Sequence, residues 1–146
     1  MTDRSLPAED RLMDLFDRLR RLALERHPLD GSGVTPPQLS TIDSVARSPG
    51  CSLQQVASDL GVTPPSASAG VHRLEEAGLL ERQPDPEDGR AIRLFLTAQG
   101  QALYERALDF RRQKMRRLLS GLTPEDQETL LDLLTRALSA SEEEAG

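Results

Sequence analysis

The 146-residue sequence has no tryptophan, a single cysteine and only four aromatic side chains, Phe16, Phe95, Tyr104 and Phe110. Its core must therefore be built from Leu, Val, Ile and Ala. Cys51 has no partner for an internal disulfide, which accords with a reducing compartment. No run of about 18 apolar residues occurs, so no segment can span a bilayer as a helix. The opening Met1-Thr-Asp-Arg-Ser also lacks the apolar stretch of a secretory signal, and the expected location is the cytoplasm. Histidine is limited to His27 and His72, and there is no paired metal-ligand spacing, no Gly-x-Ser-x-Gly and no phosphate-cradling glycine loop. Nothing therefore points to an enzyme, a metal or a cofactor. Lysine is nearly missing as well, since Lys114 is the single lysine among 18 basic residues. The net charge of −6 argues against a protein that coats nucleic acid unspecifically, because such binding needs many cations against phosphate. A specific reader remains open: the planar fork of arginine suits phosphate and guanine edges.

What is present is a sequence of capped helices with one interruption. Leu12, Leu15, Phe16, Leu19, Leu22 and Ala23 recur at steps of three and four, predicting an amphipathic helix over about Pro7 to Glu25. His27-Pro28 and Gly31-Ser32-Gly33 end it. Thr35-Pro36-Pro37-Gln38 supplies an N-cap, a proline in the first turn and a capping-box glutamine for a helix to about Arg47. Its inward stripe is Leu39, Ile42, Val45 and Ala46, and Ser48-Pro49-Gly50 stops it. Ser52 opens a second capping box with Gln55 for a short helix carrying Leu53, Val56, Ala57 and Leu60, which breaks at Gly61. Thr63-Pro64-Pro65-Ser66 starts the next helix at once, with Ala67, Val71 and Leu74 inward, ending near Ala77-Gly78.

The period then drops to two. Leu79 to Gln83 and Ala91 to Leu96 predict strands, with the turn-forming Pro84-Asp85-Pro86-Glu87-Asp88-Gly89-Arg90 between them as a protruding tip. Thr97 caps a long helix holding Leu103, Ala107, Phe110, Met115, Leu118 and Leu119, which Gly121 closes. Thr123-Pro124-Glu125-Asp126 caps a last helix striped by Leu130, Leu133, Leu134, Ala137 and Leu138. Ser141 to Gly146 is expected to be a frayed acidic tail.

Three helices followed by a hairpin, between about Thr35 and Thr97, predict a mainly α fold with a small β-hairpin wing: a winged helix-turn-helix. Ala57 and Gly61 support it, giving a small residue where two helices cross and a glycine where the turn needs positive φ. In such a unit the second helix of the pair enters the major groove with its N-terminal residues nearest the base edges. The residues facing away from Ala67, Val71 and Leu74 are Pro65, Ser66, Ser68, Ala69, His72 and Arg73. Ser66 and Ser68 can bond bases or phosphates, the Pro65 ring and Ala69 methyl suit a thymine methyl, and Arg73 suits phosphate or guanine. At the hairpin tip Arg90 is placed to enter a narrow minor groove; the other reading pairs it with Asp85 or Asp88 on the surface, and both can hold, since carboxylates often brace an arginine in a fixed pose.

The runs Thr35-Pro-Pro-Gln-Leu, Leu53-Gln-Gln-Val-Ala-Ser-Asp-Leu-Gly-Val-Thr-Pro-Pro-Ser and Val71-His-Arg-Leu-Glu-Glu-Ala-Gly-Leu-Leu-Glu-Arg, with Asp85-Pro-Glu-Asp-Gly-Arg and Leu96-Thr-Ala-Gln-Gly, resemble the multiple antibiotic resistance regulator (MarR) family of transcriptional regulators over roughly Leu12 to Leu138. The resemblance implies an obligate homodimer on a pseudo-palindromic operator, repressing genes until a small phenolic or anionic effector binds. It also implies that 1–30 and 98–140 form a helical dimerisation body around the winged domain at 35–97, leaving 141–146 as the acidic tail. The DNA-contacting positions then fall on Pro65, Ser66, Ser68, Ala69 and Arg73 in the recognition helix and on Arg90 in the wing. Two departures stand out: Ala69-Gly70 replaces the frequent Arg plus bulky apolar residue, and Gly89 replaces a frequent second wing arginine.

Uncovered apolar stripes on the terminal helices independently point to a two-fold dimer. An effector site is expected near His27, Ser40, Asp43 and Arg106. Charge favours a second reading. From Ser52 to Thr97, four arginines face seven acids, net −3, whereas the long helix carries net +4. The alternative is thus a winged-helix module that binds protein and not DNA. The basic residues of the long helix are expected to bridge to Asp10, Asp14 and Asp17 across the dimer. Cys51 is expected to be structural.

Overall fold

The computed structural model describes residues 4–24 and 33–146. Its elements run α1 (Ala8–Leu24), α2 (Pro36–Arg47), α3 (Leu53–Leu60), α4 (Pro64–Glu76), β1 (Leu80–Pro84), β2 (Ile92–Leu96), α5 (Ala98–Leu119) and α6 (Pro124–Ala145). Two compact units result, residues 1–110 and 111–146.

The helix starts form as their sequences dictate. Thr35 and Ser52 each complete a capping box, with Gln38 and Gln55 reaching back to the cap N–H, while Thr63 and Thr123 cap α4 and α6 through Ser66 and Asp126. These contacts satisfy amide groups that a helix's first turn otherwise leaves unpaired. Gly61 ends α3 at φ 64°, and the Val62 N–H donates to the Ala57 carbonyl at 3.0 Å. That left-handed residue lets α4 begin with only three residues between it and the end of α3.

Helices α2, α3 and α4 pack on one another and on the hairpin around Ile42, Val45, Val56, Val71, Leu74 and Leu94. The strands pair antiparallel from Leu80 opposite Leu96 to Pro84 opposite Ile92. A third piece of backbone joins them: Gly50 N–H donates to the Leu94 carbonyl at 2.8 Å and Leu94 N–H to the Cys51 carbonyl at 2.9 Å. The wing is thereby fastened to the α2–α3 loop as well as to α4. Ser44, buried on α2, adds a polar tie by donating to Asp59 on α3 at 2.8 Å.

Thr97 caps α5 as expected, accepting from the Gly100 N–H at 3.1 Å while its own hydroxyl donates to the Gly78 carbonyl. Gly100 is required at that junction, because a Cβ there would stand 1.9 Å from the Leu79 carbonyl oxygen. At the far end of α5, Gln127 of α6 donates to the Leu119 and Leu122 carbonyls. One expectation is corrected. Ser141 to Ala145 is not frayed but continues α6 as helix. Ala137, Leu138, Ser139 and Ala140 set no stop signal before it, and the hydroxyl of Ser141 bonds back to the Ala137 carbonyl without ending the helix.

Candidate nucleic-acid interface

The outward face of α4 is built by what its inward face buries. Ala67, Val71 and Leu74 lie in the core, which leaves Pro65, Ser66, Ala69, His72 and Arg73 exposed and Ser68 half-buried. Pro65, Ala69 and Arg73 follow one another at four-residue steps, and Ser68 and His72 form a parallel row. At the start of α4, Thr63 Oγ1 accepts the Ser66 N–H at 3.3 Å and donates to Ser66 Oγ at 3.0 Å. His72 Nε2 lies 3.0 Å from Glu76. The Arg73 guanidinium makes neither a hydrogen bond nor an ion pair among the described residues.

The glycine within α4 tells against crowding as its cause. A Cβ on Gly70 would meet only Thr41 Oγ1 of α2, at an ordinary 3.8 Å. The residue weakens the helix without being required by its neighbour.

At the wing, the two acids expected to pair with Arg90 do other work. Asp85 Oδ1 accepts the N–H groups of Glu87 and Asp88, at 2.9 and 3.4 Å, and Asp88 accepts the backbone N–H of Arg90 at 3.1 Å. They fold the turn as short acidic side chains commonly do. The guanidinium of Arg90 is exposed and without an ion pair among the described residues, so the surface-pair alternative for this residue does not hold. The braced arginine is Arg93, which donates to the Gly50 carbonyl at 3.3 Å and lies 3.9 Å from Asp85. Arg82 of β1 likewise pairs with Glu75 near the end of α4, tying the wing strand to the recognition helix.

The winged helix-turn-helix carries an unpaired arginine side chain on α4 and another at the wing tip, and the fold has known relatives. The MarR family profile matches residues 32–91. The repressor MdtR of Bacillus subtilis (strain 168), described as an HTH-type transcriptional repressor, is 30% identical over 131 residues, covering 90% of this chain and 83% of MdtR. The chain belongs to the MarR family. Among solved structures, the YusO protein from Bacillus subtilis is 29% identical with a TM-score of 0.71, covering 88% of this chain and 90% of YusO. The PcaV transcriptional regulator from Streptomyces coelicolor, solved in complex with its natural ligand, is 28% identical with a TM-score of 0.55 and covers 84% of this chain and 90% of its own. The MarR-family chain described here is accordingly a DNA-binding transcriptional regulator, and the protein-binding module is set aside as its main role.

Other expected site residues are less gathered. Ser40 and Asp43 share a face of α2, where the Ser40 hydroxyl donates to the Pro36 carbonyl at 3.2 Å. Arg106 is an exposed residue of α5 with no hydrogen bond or ion pair to either. His27 lies outside the described residues. Cys51 is buried, and that burial, with the charge of Asp59 as a smaller cause, pushes its thiol above the ordinary range against a lowering backbone hydrogen bond. Such a thiol stays protonated and unreactive at neutral pH. Among the described residues no helix is long and apolar enough to cross a membrane, and no cluster of His, Cys, Asp and Glu could hold a metal ion.

Sequence reasoning quoted Gly100 only within the Leu96-Thr-Ala-Gln-Gly run and missed its steric role, the Arg93 brace and the Ser44 to Asp59 tie. Only the first had a local signal, the Leu96-Thr97-x-x-Gly100 spacing.

Proposed function

We infer that this regulator is a cytoplasmic homodimeric repressor that reads a pseudo-palindromic operator and is released by a small phenolic or anionic effector. Each protomer places Pro65, Ser66, Ser68, Ala69, His72 and Arg73 against the major groove and Arg90 in the flanking minor groove. The observation that carries this reading is the freedom of Arg90. Asp85 and Asp88 accept backbone N–H groups and no ion pair holds the Arg90 guanidinium among the described residues, so its charge is available to the negative potential of a narrow groove.

Dimerisation rests on uncovered apolar surface. Leu12, Met13, Leu15 and Phe16 of α1 are exposed, as are Leu131, Leu133, Leu134 and Leu138 of α6. Contiguous apolar faces of this kind mark association surfaces, and a two-fold dimer would set two recognition helices about 34 Å apart, one DNA turn. The terminal helices at 1–30 and 98–140 are thus assigned to the dimerisation body, and 35–97 to the reading lobe. The bound ligand of PcaV supports an effector for this chain, for which His27, Ser40, Asp43 and Arg106 are the assigned contacts.

Fluorescence anisotropy tests the DNA reading directly. The protein is titrated against duplex DNA from upstream of its own gene and against a scrambled duplex, at two salt concentrations. Tight, salt-sensitive preference for the upstream duplex is expected. Equal and weak binding to both would refute it.

A further inference from the structure

The reading face of α4 has an unusual chemical makeup, and it narrows the kind of sequence the protein prefers. This inference rests on α4 being the major-groove element. Guanine is read most often by a bidentate arginine or lysine, and the exposed residues in the first two turns of α4 include neither. They offer the Pro65 ring, the Ser66 hydroxyl and the Ala69 methyl; Arg73, the helix's one arginine, comes a full turn later.

The Ser66 hydroxyl is anchored at the start of the helix. Thr63 Oγ1 accepts the Ser66 N–H at 3.3 Å and is hydrogen-bonded to Ser66 Oγ at 3.0 Å. A serine hydroxyl held and exposed there can donate to an acceptor on a base edge. Thymine alone presents an acceptor, O4, beside a methyl group; cytosine presents an amino donor there and no methyl, and adenine presents an acceptor with an amino group. The helix rises about 6 Å between Pro65 and Ala69, and successive base pairs are about 3.4 Å apart. The two apolar groups are thus far enough apart to address different base pairs.

We propose that each half-site is selected for thymines, whose methyl groups pack on Pro65 and Ala69 while Ser66 donates to a thymine O4. The small Ala69, in place of a long cation, leaves room for this close approach. Specificity in this chain comes from methyl contact and one anchored hydroxyl, with Arg73 and Arg90 supplying charge at the margins.

The test begins with selection of bound sequences by the full-length protein from a random duplex pool. Core thymines in the selected site are then replaced one at a time by deoxyuridine, which removes only the methyl group. Thymines should dominate the core, and each critical replacement should weaken binding about fourfold, the equivalent of one buried methyl. In an Ala69→Ser variant the penalty at the position facing Ala69 should vanish, and in Ser66→Ala the preference for thymine over cytosine should shrink. Unchanged melting temperatures show that both variants are folded. A guanine-dominated core, or deoxyuridine tolerated at every position, overturns the thymine reading while leaving DNA recognition intact. Enrichment of no sequence over the starting pool overturns both.

Discussion

The reading lobe and the terminal helices are built from similar residues and end in opposite states. In the lobe, Ile42, Val45, Val56, Val71, Leu74 and Leu94 are each 0–1% exposed. In α6 no residue is buried, and Leu138 is 60% exposed despite a leucine stripe as regular as any in the lobe. A helical period of apolar residues says that a face will be covered. It does not say by which chain. The lobe closes on itself because three short helices and a hairpin share one core, whereas α1 and α6 leave apolar side chains exposed, the surface assigned above to a second copy.

The sharpest way to test that contrast is to cut one leucine from each region. Leu94→Ala should cost about 2–5 kcal/mol of unfolding free energy, as for other buried leucines, and the loss should be the same at every protein concentration. Leu134→Ala should leave the monomer's stability nearly unchanged and instead raise the dimer dissociation constant about tenfold, equivalent to about 1.4 kcal/mol. Chemical denaturation and sedimentation at several concentrations read both effects. Equal, concentration-independent losses would mean that α6 is covered within its own chain.

Within the lobe, the two free arginines separate the reading elements. Arg73→Ala should cost about 1–3 kcal/mol on the preferred duplex, and a loss equal on all sequences would make it a phosphate contact. Arg90→Ala should weaken binding and flatten the dependence of log affinity on log salt by about 2, one contact from each protomer. An unchanged slope would remove Arg90 from the groove.

Smaller effects probe the lobe's interior. Gly70→Ala should stabilise the protein by about 0.5–1 kcal/mol, because the helix gains propensity and the new methyl meets only Thr41 at ordinary distance. Calorimetry that showed a loss instead would reveal a close contact at this position. Cys51 has a raised thiol in the folded protein, so its contribution is complete below the unfolded thiol value of about 8.5 and is lost as pH climbs through the folded one. The stability difference between wild type and Cys51→Ala should therefore shrink above about pH 9. A difference that stayed constant from pH 7 to 10 would refute the burial account.

Much of the fold and part of the site were legible because they rest on neighbours in sequence. The caps at Thr35, Ser52, Thr63 and Thr123, the break at Gly61 and the turn at Asp85 to Arg90 each depend on residues two to four positions apart. So does the outward set on α4, which follows from helical period once Ala67, Val71 and Leu74 are taken as core. The frayed tail was misread for a related reason: acidic composition suggested fraying, but no helix-stopping residue precedes Ala145.

By itself, then, the sequence determined the order and type of the elements, the caps that start them and the residues that face outward from the recognition helix. These are consequences of local periodicity and short-range hydrogen bonding. Only the tertiary structure decided which charges are free and which are spent. Arg93 is braced by Gly50, 43 residues away, Arg82 is held by Glu75, and Asp85 and Asp88 turn to backbone N–H groups, leaving Arg73 and Arg90 open. Ion pairing depends on distances across the fold, and no spacing along the chain contains them.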